Sequence, residues 1–467
     1  MNSSSCYPFQ PSITAKEGSH EDQSSIVINP FFLISLFVFV PSVLAQELSV
    51  VKPQEVGLSP ERLDRIHQAM QEHVDKNHLA GAVMLIARHG KVAYLESVGM
   101  ADIEAKKPMQ TDTIFRIASM TKPITSLAAM MLYEEGHFLL SDPISKFIPE
   151  FKNPKVAIRS PTLDSPFVPS YVLVPAKREI TIRDLLTHTS GITYRFWGRD
   201  YFADLYKKAG VSDGLVQTEG TLADEVKKLA QLPLTNQPGE VYEYGLNTDV
   251  LGYLVEVISG KTLDKFFQER IFTPLGMKDT YFFLPEEKLP RLSAVYIANE
   301  TGGIKKLSDE PVQEGEHTIY SASFHYKGPR TFFSGGAGLV STITDYYRFL
   351  QMLLNGGEFN GVRLVSRKTV ELMRSNHIGN LNMWLGEVLG NSRDGFGLGF
   401  GVVKDVDSAG DMMGSAGTYY WNGFFSTSFW IDPKEDLIGI FMTQFRPFSP
   451  HDILKKFRVL TYQAIAD

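Results

Sequence analysis

The stretch Ile117-Ala118-Ser119-Met120-Thr121-Lys122-Pro123-Ile124-Thr125-Ser126 places a serine three residues before a lysine, at the start of an apolar segment. Residues three apart on a helix share a face, so this spacing predicts contact between the Ser119 hydroxyl and the Lys122 amine. A serine is activated when a base removes its proton, and a lysine is such a base only when neutral. Its usual pKa of about 10.4 must then fall by roughly three units, through burial or nearby positive charge. The alternative interpretation is that Ser119 only caps the helix.

The sequence on either side of this stretch indicates a mixed α/β fold. Upstream, Ser59-Pro60 is predicted to begin an amphipathic helix, residues 81–88 and 91–98 to form a β-hairpin, and a third strand to begin near Gly99. Gly136 is predicted to end the Ser119 helix. The chain closes with three strand-like runs and a helix, at residues 396–403, 424–431, 437–443 and 452–466. Strands at both ends favour one sheet built from both chain ends.

The middle of the chain has a different pattern, in which prolines and long loops alternate with helical segments. Helices are predicted at residues 181–188, 221–232 and 249–258, and residues 284–330 are predicted to be rich in loops. We therefore divide the folded region, residues 46–467, into two parts. An α/β part comprises residues 46–140 and 331–467, and a mainly helical part comprises residues 141–330.

Composition excludes several classes of function. A content of 43% hydrophobic and 21% charged residues is that of a globular protein, and a net charge of −7 argues against a nucleic-acid partner. Cys6 is the only cysteine, and the histidines show neither His-Glu-x-x-His nor another metal-ligand spacing. We therefore predict no metal site and no cofactor, and the sequence leaves the oligomeric state open.

The N-terminal region has the features of an export signal. Residues 31–45 form an apolar run that ends in Val43-Leu44-Ala45, as at a secretory cleavage site, and this run is shorter than the ~20 residues that span a bilayer. The acidic residues Glu17, Glu21 and Asp22 precede it, where a signal peptide is usually basic; a mis-assigned start codon or an uncleaved anchor would explain them. We expect residues 1–45 to be a presequence, its removal to leave no membrane span, and the protein to be periplasmic or secreted.

Acyl transfer by a serine also needs an acid for the leaving group and two donors for the oxyanion. The run Pro238-Gly239-Glu240-Val241-Tyr242-Glu243-Tyr244-Gly245-Leu246-Asn247 places Tyr244 in a turn before a predicted helix. A phenol near a lysine can pass on a proton. With 19 tyrosines in the chain, simple packing remains an alternative role for Tyr244.

Five segments in this order resemble the motifs of the serine β-lactamase-like, penicillin-recognising hydrolases. They are residues 115–122, 181–191, 238–244, 334–342, and 421–423 with 429–433. The resemblance covers about residues 55 to 465. It implies the α/β (α+β) sandwich of β-lactamases and transpeptidases, in which helices flank an antiparallel sheet, with a mainly helical domain beside it.

The same resemblance implies roles for individual residues. Ser119 would be the nucleophile, Lys122 the base and Tyr244 its partner in proton transfer. The backbone N–H groups of Ser119 and Phe424 would bind the oxyanion. The substrate site would include three further residues, Trp421, Gly423 and Leu246.

Two departures from the β-lactamase pattern point to the esterase branch of the family. The usual Tyr-x-Asn motif reads Tyr244-Gly245-Leu246 here, with Asn247 one place late. The third motif usually begins with a lysine that can meet a substrate carboxylate, but Trp421 stands in its place. Both changes favour neutral esters over anionic β-lactams, as in the family VIII carboxylesterases.

We therefore predict a serine hydrolase that cleaves small-molecule carboxylic esters through an acyl-enzyme. One alternative is a β-lactamase or D-amino-acid peptidase that cleaves amides with the same residues. Another is a non-catalytic, penicillin-binding-like scaffold, although Ser119, Lys122 and Tyr244 are all present. A Ser-His-Asp hydrolase is a further rival, and it requires its nucleophile in a Gly-x-Ser-x-Gly motif. This spacing occurs at Gly210-Val211-Ser212-Asp213-Gly214, but the five segments above favour Ser119 as the nucleophile instead.

Overall fold

The computed structural model describes residues 49–160, 171–197, 200–300, 302–383, 394–405, 413–447 and 451–467. Residues Glu47–Asp467 form one compact unit. The predicted presequence, residues 1–45, lies outside the described residues. Among the described residues, no helix is both long and apolar enough to cross a membrane.

Helices dominate the middle of the chain and flank its two ends. The α-helices are α1 Pro60–Asp75, α2 Thr121–Glu134, α3 Ile182–Leu186, α4 Asp200–Ala209, α5 Leu222–Leu229, α6 Asn247–Ser259, α7 Leu263–Phe267, α8 Thr273–Leu275, α9 Ile343–Leu354, α10 Arg367–Met373 and α11 Ile453–Tyr462. A π-helical turn, Gln268–Phe272, joins α7 to α8. Short 3₁₀ helices cover Pro53–Val56, Ala118–Met120, Ile144–Lys146, Pro149–Phe151 and Glu286–Arg291.

Strands from both chain ends form the main sheet, as the sequence predicts. The strands are β1 Gly81–Arg88, β2 Lys91–Asp102, β3 Lys107–Pro108, β4 Phe115–Arg116, β5 Lys155–Arg159, β6 Tyr171–Pro175, β7 Tyr296–Ala298, β8 Ile304–Lys306, β9 Val312–Glu314, β10 Thr318–Tyr320, β11 Val340–Ser341, β12 Glu358–Phe359, β13 Val362–Arg363, β14 Gly395–Phe396, β15 Gly401–Val402, β16 Tyr419–Asn422, β17 Ser428–Asp432, β18 Leu437–Met442 and β19 Phe445–Arg446. Within the described residues, eight strands pair antiparallel in the order β14-β15-β16-β17-β18-β1-β2-β3.

Helices cover both faces of this sheet. Successive residues of a strand point to opposite faces. On β17, the Phe429 ring lies 5.4 Å from the Tyr346 ring of α9, whereas the next residue, Trp430, lies 5.4 Å from the Phe457 ring of α11. The predicted sandwich, an antiparallel sheet between helices, is therefore confirmed.

Several local predictions are also confirmed. The Ser59 side chain accepts a hydrogen bond from the Arg62 N–H and caps α1. Gly136 follows α2 with a φ of +83°, the left-handed conformation typical of a helix end. Thr181 and Thr221 cap α3 and α5 in the same way as Ser59 caps α1.

Other boundaries differ from the prediction. Residues 396–403 do not form one strand, because the chain turns at Gly399 (φ +107°) and makes the β14–β15 hairpin. The strand expected from residue 424 begins at Ser428, and the strand expected near Gly99 is the continuation of β2. The mainly helical part also contains the β5–β6 hairpin and the short strands β7 to β10. Its division from the α/β part stays a prediction.

Candidate active site

The predicted nucleophile lies in a tight turn that precedes α2. Ala118 has a φ of +42°, which is unusual for a residue with a side chain, and Ser119 follows it in the 3₁₀ turn. Two hydrogen bonds tie this segment to residue 339: Ile117 N–H donates to the Leu339 carbonyl (3.0 Å), and Leu339 N–H donates to Thr121 Oγ1 (3.1 Å). Ser119 is only partly buried, so its hydroxyl is held at the surface of the site.

Lys122 lies one turn further on, completely buried, and contacts Ser119 as predicted. Its Nζ is 3.2 Å from the Ser119 hydroxyl. It also donates to the Gly336 carbonyl at 2.7 Å and contacts the Tyr194 hydroxyl at 2.8 Å. Because a carbonyl can only accept, one N–H is committed to Gly336. A neutral amine therefore has its lone pair free to face Ser119.

Burial changes the charge of this lysine. Loss of hydration lowers the pKa of Lys122 to about 7, although the carboxylate of Asp249 acts in the opposite direction. The amine is thus mostly neutral just above neutral pH, as its predicted role as a base requires.

Tyr244 is brought to the same site, but it does not hydrogen-bond to Lys122. The lysine Nζ lies over the Tyr244 ring, 4.8 Å from its centre. Burial raises the pKa of the Tyr244 phenol, while interactions with the Ser119 hydroxyl and the Trp421 side chain lower it. Tyr244 is therefore a neutral phenol that faces the serine, and the tyrosine whose hydroxyl lies within hydrogen-bond distance of the lysine is Tyr194.

A buried histidine and asparagine hold the Tyr244 turn. His188 Nδ1 accepts from Asn247 Nδ2 (2.9 Å) and from the Gly245 N–H (3.4 Å), so its proton resides on Nε2. Burial lowers the pKa of His188 well below its usual value, which keeps the ring neutral. Asn247 is completely buried and also pairs with the Ser190 hydroxyl. The displaced asparagine of the Tyr-x-Asn motif therefore supports the turn and does not face the cleft.

The third motif lies beside the nucleophile turn. Trp421 and Asn422 are the last two residues of β16 and pair with β17 on one side. The neighbouring strand β15 pairs only with the two preceding residues, so the other side of Trp421 and Asn422 is an open strand edge. A Cβ atom on Gly423 would lie 2.5 Å from the Ile117 carbonyl oxygen. Only glycine allows this approach, which sets Phe424 next to the segment that carries Ser119.

The predicted substrate-binding side chains are mostly enclosed. Trp421 is 2% exposed and packs against the rings of Tyr244 and Phe396, with ring centres 5.5 and 5.3 Å away. Leu246 is also 2% exposed and precedes α6. The assignment of Trp421, Leu246 and Gly423 to substrate binding stays a prediction.

A cavity of about 880 Å³ extends from Tyr244. Its walls come from the β5–β6 hairpin, the loop before α6, and α4 with the residues before it. The aromatic residues on its walls are Tyr171, Trp197, Phe202, Tyr242 and Tyr244. Among the described residues, its charged lining consists of Glu240, Glu243 and Arg159.

A second apolar cluster lies beside the nucleophile turn. The ring of Tyr320 lies 5.3 Å from that of Phe424, and both belong to an apolar cluster that includes Ala118. The Arg446 guanidinium lies 4.2 Å from the centre of the Phe424 ring and forms a 2.6 Å ion pair with Glu314. This cation is therefore neutralised by its partner.

Sequence reasoning missed three contributors to the lysine environment: Tyr194, Gly336 and Asp249. A detectable signal for Asp249 was a carboxylate at the start of the mostly apolar stretch at residues 249–258. Among the described residues, no cluster of three or more His, Cys, Asp or Glu side chains could hold a metal ion.

The sandwich, the contact of Ser119 with the buried Lys122 and the adjacent glycine-containing strand edge are the features of a hydrolase with the β-lactamase fold. The chain belongs to the β-lactamase family, whose model, described as Beta-lactamase, matches residues 66–463. This confirms the family suggested by the sequence motifs, and the protein is a hydrolase of that family.

Named relatives and a solved structure agree with this assignment. Protein Rv1367c of Mycobacterium tuberculosis is 36% identical over 82% of this chain and 90% of its own length. Esterase EstB of Burkholderia gladioli is 31% identical over 82% of this chain and 89% of its own. The solved structure of EstCE1, described as a hydrolase with promiscuous acyltransferase activity, is 28% identical with a TM-score of 0.72, and the match covers 86% of this chain and 99% of that one.

Proposed function

We propose that the protein cleaves carboxylic esters through an acyl-enzyme on Ser119. The observation that carries this proposal is the completely buried Lys122 amine, 3.2 Å from the Ser119 hydroxyl and with a pKa lowered to about 7. A lysine held neutral in contact with a serine hydroxyl is the base that the nucleophile requires.

The reaction follows from this geometry in two steps. Lys122 takes the proton from Ser119 Oγ as Oγ bonds to the ester carbonyl carbon, and the backbone N–H groups of Ser119 and Phe424 stabilise the oxyanion. The bond to the alcohol oxygen then breaks, that oxygen takes the phenol proton of Tyr244, and the proton held by Lys122 replaces it. Water next attacks the acyl carbonyl carbon as it gives a proton to Lys122. The bond to Ser119 Oγ then breaks, the acid leaves, and Oγ takes the proton back from Lys122.

The cavity supports esters with a bulky, uncharged alcohol part. Tyr244 lies on the cavity wall and is the group that would protonate the leaving alcohol, so the alcohol part extends into the cavity. Among the described residues, the wall charges are Arg159, Glu243 and Glu240, of which Glu240 pairs with Lys177 at 2.6 Å, and the nearby Arg446 is paired with Glu314. This part of the wall offers anionic β-lactams and peptide carboxylates no excess of positive charge.

Acyl transfer to an alcohol is the second candidate. The same cavity could hold an acceptor alcohol in place of the departed one, and the structural relative EstCE1 is described with acyltransferase activity. Adding an alcohol to an ester assay and quantifying acid against new ester separates transfer from hydrolysis.

The test compares p-nitrophenyl acetate and butyrate with a chromogenic cephalosporin and a D-alanyl peptide. The variants are wild type, Ser119→Ala and a control, Ser126→Ala, which alters a buried serine two turns further along α2. We expect ester turnover that only Ser119→Ala abolishes, with a butyryl adduct on Ser119 detected by mass spectrometry after a rapid quench. Faster cephalosporin or peptide cleavage would favour the amide alternatives, and no Ser119-dependent turnover of any substrate would favour a scaffold.

Export is a separate proposal. It rests on the apolar run at residues 31–45 and the Val43-Leu44-Ala45 cleavage pattern. Expression in a Gram-negative host, followed by N-terminal sequencing of the periplasmic fraction, should give a chain that begins at Gln46. An intact N-terminus in the cytoplasm would contradict it.

A further inference from the structure

A second buried acid, Asp249 of α6, stands behind the reactive lysine. Its Oδ1 accepts hydrogen bonds from the Ser334 hydroxyl (2.6 Å) and from the Gly336 N–H (3.3 Å). The carbonyl of the same Gly336 accepts the 2.7 Å hydrogen bond from Lys122. A single residue of the glycine-rich turn therefore connects the carboxylate to the amine.

The other carboxylate oxygen faces the same place. Among the described residues, Asp249 Oδ2 has no hydrogen-bond partner although it is buried. A Cβ atom on Gly336 would lie 2.5 Å from this oxygen and 3.2 Å from the Tyr194 hydroxyl, which itself contacts Lys122 Nζ. The carboxylate, the phenol and the amine thus surround one residue that has no side chain.

We propose that Asp249 is a positioning residue for the reaction of Ser119. Its negative charge sets the protonation of the Lys122 amine, and its hydrogen bonds hold the Gly336 carbonyl against that amine. This inference rests on the proposed function, because it assigns to Asp249 control over the base of that reaction.

The physical reason is the balance of two opposing effects on one amine. Burial alone would drive the Lys122 pKa down and leave a weak base, whereas an opposite charge within a few ångströms typically raises a lysine pKa by about one to three units. The titratable groups that face this pair are Tyr194, Tyr244, His188 and, beyond Asp249, Asp213. Burial keeps both tyrosines and His188 neutral near pH 7, and among these groups Asp249 is the one whose charge acts on the amine. Burial raises the pKa of Asp249 itself, whereas the Ser334 hydroxyl, Lys122 and the Gly336 N–H favour its charged form.

The test measures the pH dependence of Ser119 modification in the full-length protein. Diethyl p-nitrophenyl phosphate reacts with a serine nucleophile once: an Oγ–P bond forms, the bond from phosphorus to p-nitrophenolate breaks, and the Oγ proton passes to Lys122. In Asp249→Asn the amide oxygen can still accept from Ser334 and Gly336, but the charge is gone. We expect the acidic limb of the rate profile to move by about one pH unit towards lower pH, and the plateau rate to fall because the base is weaker.

Two further variants keep the inference falsifiable. Ser334→Ala retains the carboxyl group but removes a hydrogen bond that favours its charged form, so the limb should move in the same direction by less. Asp345→Asn is the matched control. Asp345 is also buried, with a pKa raised to about 6, but it lies on α9 beside Asp279 and Thr280, and its loss should leave the limb in place.

The possible outcomes separate this inference from the proposed function. A uniform loss of rate in Asp249→Asn and Ser334→Ala, with the limb unmoved, would overturn the control of Lys122 and leave only a structural role. An equal shift in Asp345→Asn would overturn its specificity. In both cases wild type still reacts at Ser119, and the proposed nucleophile stands. Folded wild type that shows no Ser119-dependent modification would instead overturn the proposed function, and this inference with it.

Discussion

Replacing Gly423 with alanine should disable the oxyanion site without removing any reacting group. The new Cβ would lie 2.5 Å from the Ile117 carbonyl oxygen and even closer to Thr427 Oγ1, whereas ordinary contacts begin near 3.4 Å. The strand end must therefore move away from the nucleophile turn by about 1 Å. An oxyanion donor at about 2.9 Å would then be near 4 Å, which is beyond hydrogen-bond range.

The expected result is a loss of one donor in the transition state. Such a loss lowers kcat by about 10² to 10³, or roughly 3–4 kcal/mol, while KM changes little because the ground-state ester is bound elsewhere. The assay is hydrolysis of p-nitrophenyl butyrate, with near-UV circular dichroism to confirm the fold. Thr427→Ala combined with Gly423→Ala should not restore activity, since the Ile117 carbonyl remains in the way.

A matched control distinguishes this effect from general packing damage. In Gly303→Ala the new Cβ would lie 2.5 Å from the side-chain amide nitrogen of Asn77, and its nearest neighbours include no residue of the nucleophile turn or of the lysine environment, so kcat should change little. If folded Gly423→Ala keeps kcat within about threefold of wild type, Phe424 N–H does not bind the oxyanion and this reasoning is wrong.

Three further predictions concern the base and the cavity. The Lys122 pKa is lowered to about 7, and only the neutral amine acts as base. The kcat/KM for p-nitrophenyl butyrate should therefore be level above pH 8 and about tenfold lower at pH 6. A rise in kcat/KM that continues through pH 9 would indicate a lysine with an unshifted pKa. Tyr194→Phe removes the 2.8 Å contact with Lys122 and should lower kcat about tenfold. The control Tyr206→Phe removes a buried hydroxyl that accepts from the Thr193 N–H, and it should leave kcat unchanged. Equal losses of kcat in the two variants would contradict a special role for Tyr194. Ile158 is 45% exposed on the cavity wall, so Ile158→Trp should narrow the space for the alcohol part of the ester. We expect kcat/KM to fall for menthyl acetate but not for ethyl acetate. Equal effects on both esters would place the alcohol part outside the cavity.

Local sequence signals predicted much of the fold because the physical causes are themselves local. The Ser59 and Thr181 caps and the glycine after α2 act through neighbouring backbone groups, so they are visible in a few residues. The β14–β15 hairpin was missed because both of its arms are buried and therefore read as one continuous apolar run. There the informative signal was Gly399, whose left-handed φ permits the turn.

The candidate site was predictable only in its sequence-local part. Ser119 and Lys122 are three residues apart, and a helix brings them together automatically. The other contacts of Lys122 come from residues 194 and 336, which are 72 and 214 positions away. No periodicity encodes such contacts, because they depend on how the middle of the chain folds back over α2. The motif resemblance supplied Tyr244 but not Tyr194, whose hydroxyl contacts the lysine at 2.8 Å.

The pairing of β18 with β1 has a consequence for how the chain acquires its structure during synthesis. Arg88 and Glu435 hydrogen-bond across this junction although 347 residues separate them. The β1–β2 hairpin therefore leaves the ribosome with one edge open and must wait for nearly the whole chain before β18 fills it. A nascent chain stopped before residue 437 has the complete serine–lysine motif but lacks the central strand. Premature termination close to the end should thus yield aggregation-prone, inactive protein, and chaperone demand should persist until synthesis is almost complete.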